Sequence, residues 1–334
     1  MSAATGSVES GRSRTGEAIG DWARRNAWTL GLLGFLVVLL VITKLIQPNY
    51  GAPGIQGLAI SVMPLALAAC AQAVVVIAGG IDLSIAAIMA LTSVVAAVLM
   101  KDQPGEIGLV VFFAVLLLGL LIGAINGSLV VITRVPDIVV TLAMSFVWAG
   151  VTLLVLRAPG GGASDWLTDI VSGSILSEWV PKAAVVLIIV VAAIWLPIRR
   201  SRLGLSMYAI GSDKLAAFRS GVSVGRTKIL SYAVMGLFSA LGGLSLTANT
   251  GIGTPVPGPY TLLSVAAIVL GGVSLAGGRG GIFGPIVAVV ILQLIRTDMT
   301  FLNVNTNLAT VLQGVILIGV VMVGSLIQIR RNRA

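Results

Sequence analysis

The 334-residue sequence has no histidine, a single cysteine and few charged residues. Without histidine, the commonest general acid–base group and metal ligand is missing, so Ser–His nucleophiles and histidine metal motifs are excluded. One cysteine cannot close a disulfide within the chain or build a thiolate zinc site. Cys70 sits inside an apolar run and reads as a small packing residue. Charged residues are 10% and aromatic residues 5% of the chain, against roughly 25% charged in an ordinary soluble domain. So few charges cannot cover the surface of a water-soluble globule, and that class is excluded.

What the chain has instead is apolar length: 57% of its residues are hydrophobic. They fall in ten blocks near 28–46, 57–77, 83–100, 107–132, 138–157, 182–198, 228–248, 262–275, 282–296 and 307–328, each close to membrane-spanning length. The pattern predicts an all-α integral membrane protein, a bundle of about ten transmembrane helices. A net charge of +9 raises the question of nucleic acid, but in a membrane protein the asymmetry between faces comes first. With the N-terminus inside, every basic residue except Lys44, Lys101, Arg157, Lys182 and Arg296 falls on the cytoplasmic side. Both termini are therefore expected in the cytoplasm, and no nucleic-acid partner is expected. Residues 1–26 read as a cytoplasmic tail, 27–328 as the transmembrane domain and 329–334 as a basic cytoplasmic end. The first apolar run lacks a small-residue cleavage site and reads as a retained helix.

Two connections are long. The outer one, 158–181, holds three acidic residues with Trp166 and Trp179, and either docks an external partner or merely connects. The basic inner one, 199–227, contains Gly211, Ser212, Asp213, Lys214, Ala216, Ala217, Arg219 and Gly221. Ser212 and Asp213 are N-cap candidates, Lys214 to Ser220 can make two helical turns, and Gly221 is a natural stop. This short helix is either a partner contact or a stiff linker.

Polar groups inside the apolar runs are few. Gly119, Gly123 and Gly127 share one helix face and read as a close-packing seam. Asn126 beside them needs a partner at membrane depth, on a neighbouring helix or in a polar pathway. Gly79-Gly80-Ile81-Asp82-Leu83-Ser84 joins two apolar runs with no polar loop, so a tight break is predicted. There Asp82 either caps a helix starting at Leu83 or faces solute, with Ser84, from a broken helix. A related phrase, Gly271-Gly272-Val273-Ser274-Leu275, hints at duplication. The glycine run that follows it lacks the phosphate-cradling pattern. No catalytic set is present, whereas a carrier needs only weak polar contacts along a central cavity.

Several of these phrases together resemble the membrane-spanning permeases of bacterial ribose-type sugar ABC importers: residues 79–84, Asn126-Gly127, Ile138-Val139-Val140-Thr141-Leu142, the loop Tyr208 to Val222, and Val269 to Gly278. The resemblance spans most of 55–328. It implies a multi-pass protein of the bacterial inner membrane, with a pathway for a pentose, hexose or inositol-class solute delivered by a periplasmic sugar-binding protein. It further implies a second permease subunit, expected to be identical, and two cytoplasmic ATP-binding subunits. No cofactor is expected in this chain; ATP and Mg belong to the ATPase, and membrane lipid surrounds the bundle. The loop Gly211 to Gly221 is then the ATPase-coupling segment, in which bulk at Ala216 or Ala217 should hurt more than loss of Lys214 or Arg219. Asp82, Ser84, Asn126 and Thr141 are the candidate pathway residues. Ala86, Asp137 and Ala143 depart from the family pattern, which often has Pro-Pro-Phe where this chain has Pro136-Asp137-Ile138. The alternative is a self-contained secondary carrier in which Asp82 binds the coupling ion.

Overall fold

The computed structural model describes residues 27–256 and 258–305, with residues 308, 311, 314, 315, 319 and 322. The tail 1–26, most of the tenth expected span and the segment 329–334 lie outside the described residues. The helices are α1 (Ala27–Ile46), α2 (Ala52–Ile77), α3 (Ile85–Met100), α4 (Gly105–Thr133), α5 (Asp137–Val155), α6 (Asp165–Asp169), α7 (Lys182–Arg200), α8 (Arg202–Ser212), α9 (Lys214–Arg219), α10 (Val224–Thr250), α11 (Tyr260–Leu270) and α12 (Phe283–Phe301). Seven described helices, α1, α2, α4, α5, α7, α10 and α12, are long and apolar enough to cross a bilayer, while α3 and α11 are apolar but shorter. The chain is an all-α multi-pass membrane protein.

The boundaries differ from the apolar blocks where local chemistry overrides hydropathy. α2 begins at Ala52 rather than 57, because Pro53 in the first turn needs no amide partner and is already set to a helical φ. α11 stops at Leu270 rather than 275, because the Gly271-Gly272 turn ends it. α12 runs past the exposed Arg296 to Phe301, since a long charged side chain at a helix end reaches polar surroundings. The inner loop holds two helices rather than one, and Ser212 is no cap: it is the last residue of α8, and Asp213 caps α9.

The long apolar window of α2 is 89% buried, whereas those of α1 and α5 are 17% buried, so α2 is the axis of the bundle and α1 and α5 lie at its rim. Val37, Val41 and Leu45 of α1 and Phe146 and Leu154 of α5 are exposed, as lipid-facing residues must be. Since lipid is as apolar as leucine, helices associate here through close packing of small residues. Gly119, Gly123 and Gly127 of α4 lie against Gly236, the Tyr232 carbonyl and Ile229 of α10 so tightly that a Cβ on any of them would collide. α10 also joins α3 through Ser93 and Thr247, whose hydroxyls are 2.8 Å apart.

The outer connection folds over one end of the bundle. Gly160 pairs with Gly253, the Gly162 amide donates to Ala97 O (2.8 Å), and Trp166 meets Phe112 edge-on at 5.7 Å. The break after α2, the glycine run after α11 and the basic loop meet at the other end.

Candidate functional site

α2 ends in a glycine turn: Gly79 has φ +74°, and the amides of Gly79 and Gly80 donate to Val76 O and Val75 O. α11 ends the same way at Gly272 (φ +80°), where the amides of Gly272 and Val273 donate to Val269 O and Ile268 O. The two phrases therefore build one kind of helix stop, aligned Gly79 with Gly272, one residue off the match of the letters. A side chain with Cβ rarely adopts this left-handed conformation, which is why glycine recurs.

Past the first stop the backbone is non-helical through Ile81, Asp82 and Leu83, and its polar groups find partners on neighbouring helices. Thr141 Oγ1 on α5 accepts from the Leu83 amide (3.1 Å) and lies 3.3 Å from Ile81 O, to which it can donate. On the other side, Thr261 Oγ1 of α11 accepts from the Ala86 amide (3.1 Å) and lies 3.4 Å from Leu83 O. Two threonine hydroxyls thus replace the helix's own hydrogen bonds, the condition for non-helical backbone at membrane depth.

Asp82 does not cap α3. That helix starts at Ile85 with Ser84 in the cap position, and Asp82 Oδ1 instead accepts from the Ser84 amide and hydroxyl, both at 2.6 Å. Asn126 Nδ2 donates to Ser84 Oγ (2.8 Å), and Trp148 Nε1 donates to Asn126 Oδ1 (3.1 Å). Asp82, Ser84, Asn126 and Thr141 are all fully buried, and Asp82 Oδ2 has no hydrogen-bond partner among the described residues. An unpartnered buried carboxylate oxygen costs several kcal/mol, and it is the free acceptor of the site. The arrangement is a buried cluster of hydroxyl, amide and carboxylate groups bonded mainly to one another, and the described residues hold no cluster of His, Cys, Asp and Glu that could bind a metal.

The structure brings together the four candidate pathway residues and leaves Gly119, Gly123 and Gly127 in a separate packing seam. Sequence reasoning missed Thr261 and Trp148, which carry no local signal: a threonine and an indole in apolar runs are ordinary. It also missed the partners of Asp137, whose Oδ1 takes the Lys228 ammonium at 2.6 Å while Oδ2 accepts from Tyr232 OH at 2.9 Å.

The basic loop docks on this break from below. Asp213 Oδ1 accepts from the amides of Leu215 and Ala216 at 2.9 Å, starting α9, and Gly221 (φ +84°) follows its end. Ala217 faces inward and is buried; Lys214, Leu215, Ala216, Phe218 and Arg219 are exposed. Gly211 is wedged between Ile77 O and Gly278, whose amide donates to Ile77 O at 3.0 Å. Tyr208 OH donates to Gly280 O at 2.8 Å. A cavity of about 210 Å³ at this junction is lined by Gly79, Gly211, Asp213, Lys214, Lys228 and Ala276 among others.

Asp82→Asn separates the two readings of that carboxylate. The asparagine oxygen can still accept from Ser84, so the turn survives while the charge goes. The variant is expected to fold like the parent in detergent and to alter solute uptake at least about tenfold, the worth of one buried polar contact. Unchanged uptake would make Asp82 purely structural.

A family model described as "Branched-chain amino acid transport system / permease component" matches residues 54–321. The chain is similar to the ribose import permease protein of Escherichia coli K12, 31% identical over 298 residues that cover 86% of this chain and 91% of the relative. It is similar to the ribose import permease protein of Bacillus subtilis 168, at 30% over 296 residues, 85% of this chain and 88% of the relative. An autoinducer 2 import system permease protein of E. coli O9:H4 is 28% identical over 325 residues, 92% of this chain and 95% of the relative. No solved structure matches the chain at a significant level.

Proposed function

Because the chain belongs to the family of branched-chain amino acid transport system permease components, and so is a non-enzymatic multi-pass transport subunit of the bacterial inner membrane, we propose that it forms the pathway of an ATP-driven sugar or polyol importer. One observation carries this reading: Gly211 seats the basic loop directly against the end of α2, next to the buried polar break. In the proposed mechanism α9 docks on a cytoplasmic ATPase that binds ATP and Mg. ATPase closure moves the loop, and the break with Asp82, Ser84, Asn126 and Thr141 is exposed alternately to each side.

The ribose permeases among the relatives support a sugar as solute. So does the chemistry: the buried set presents hydroxyl, amide and carboxylate groups, while Lys228 beside it is held by Asp137. An amino acid's carboxylate would find that ammonium already paired. The basic loop and the glycine stops lie at one end, so the positive-inside rule puts that end in the cytoplasm, with both termini there and ten spans in all. The reading includes a second, identical permease subunit and a periplasmic binding protein that delivers the solute onto the outer end.

The test is purification of this chain from its native membrane in a mild detergent. Recovery of an ATPase bearing a nucleotide-binding P-loop, and ATP-dependent uptake of a sugar by the reconstituted complex, are expected. Solute uptake by the chain alone, driven by an ion gradient, would overturn the reading.

A further inference from the structure

We infer that the Asp137–Lys228 ion pair is the mechanical link by which the basic loop acts on the pathway. The inference rests on the importer reading but concerns residues to which that reading gives no role. Lys228 lies in the first turns of α10, just after the loop segment Gly221 to Ser223, so a displacement of α9 is passed to it along the chain. Asp137 is the first residue of α5.

α5 and α10 scarcely pack against each other otherwise; their connection is the Lys228 ammonium on Asp137 Oδ1 (2.6 Å) and the Tyr232 hydroxyl on Oδ2 (2.9 Å). Lys228 and Tyr232 are four residues apart and present both groups from one face of α10. The ion-paired side chains are each 14% exposed, so the attraction is weakly screened and the pair resists being pulled apart.

Asp137 passes the motion on in two ways. Its carbonyl oxygen accepts from Thr141 Oγ1 (2.9 Å), the same hydroxyl whose oxygen accepts from the Leu83 amide of the break. Its carboxylate also abuts the break directly: a Cβ on Gly80 would lie 2.5 Å from Asp137 Oδ2 and 3.0 Å from Tyr232 OH. A contiguous series of bonded groups therefore runs from the loop through α10 and Asp137 to the backbone beside Asp82. Asp137 and Lys228 are positioning residues: neither is in the pathway set, and both act through Thr141 and the break. α10 also packs along α3, and Gly211 seats α8 directly on the end of α2; both offer competing routes, and the experiment must tell them from the ion pair.

The readout is independent of the solute. In a Cys70→Ala background of the purified complex, Leu83→Cys reports on the break by its rate of maleimide labelling, without nucleotide and with the ATPase trapped by Mg-ATP and vanadate. The parent is expected to change labelling rate at least about fivefold between the two states, the lower range of allosteric couplings. Asp137→Asn, which keeps a hydrogen-bond acceptor for Tyr232, and Lys228→Met, which keeps the stem packing, should each abolish that change while the ATPase still co-purifies and hydrolyses ATP. The swap of Asp137→Lys with Lys228→Asp should restore most of it. A full change in both single variants would overturn the inference and assign transmission to the α10–α3 packing or to the Gly211 seat on α2. Single variants that unfold while the swap folds would make the pair a structural clamp only, and equally overturn it. Failure of the parent to retain any ATPase would instead overturn the importer reading itself.

Discussion

Gly211→Val is expected to remove most folded protein. A Cβ at Gly211 would sit on the Ile77 carbonyl oxygen and 2.5 Å from the Gly278 amide nitrogen, two backbone atoms hydrogen-bonded to each other at 3.0 Å. Backbone cannot rotate away as a side chain can, so α8, the end of α2 and the glycine run must separate. Overpacking typically costs about 1–3 kcal/mol, with the upper end expected against immobile backbone, and losing the buried amide's partner adds about 1 kcal/mol or more. Against a typical stability of about 5–15 kcal/mol this is a large loss. The check is thermal unfolding of the detergent-solubilised protein followed by size exclusion. Gly57→Ala is the control, since nothing lies within 4 Å of a Cβ there. Equal stability of the two variants would mean that the three segments are not locked together.

The second large effect concerns docking. Leu215 and Phe218 are 58% and 66% exposed, whereas Ala217 is 6% exposed. The sequence pointed to bulk at the alanines as the way to block a partner. For Ala217 that expectation is corrected: a tryptophan there would lift α9 off its own protein, and loss of docking would report misfolding. Leu215→Asp with Phe218→Asp changes only outward side chains, so folding stability should move by no more than about 0.5 kcal/mol for each. If these apolar tips enter a groove on an ATPase, each is a buried contact of about 2 kcal/mol, worth about thirtyfold alone, and the double variant should lose affinity on the order of a thousandfold if the two add. Co-purification of the ATPase with parent and double variant decides it. Retention of the partner at parental levels would mean that α9 does not supply the contact. Loss of Lys214 or Arg219 alone should matter less, since exposed ion pairs contribute little.

The class of the protein was legible in its composition, because membrane insertion depends on hydropathy summed over about twenty residues and on the sharing of arginine and lysine between faces. Local stops were legible for a similar reason. Gly79, Asp213 and Gly221 act through their own backbone or that of residues two or three away, so Gly-Gly-Ile-Asp and Ser-Asp-Lys announce a turn and a cap before any fold is known. The glycine spacing on α4 likewise marks a face on which another helix comes close.

What the letters left open is who stands opposite. Asp82 reads first as a helix cap, with the pathway as the alternative, until Asn126, 44 positions on, is seen to engage its partner Ser84. Thr261 and Trp148 have no local pattern at all. Asp137 looks in the sequence like a mere departure from the family phrase, and only the fold sets Lys228 and Tyr232, more than 90 residues away, on its two oxygens. Ala217 faces inward and Phe218 outward because of the plane on which α9 rests, a plane set by α8 and α10. Periodicity and turn chemistry are short-range and therefore written in sequence. The partners of buried polar groups are set by helix packing between distant segments, which only the tertiary structure decides.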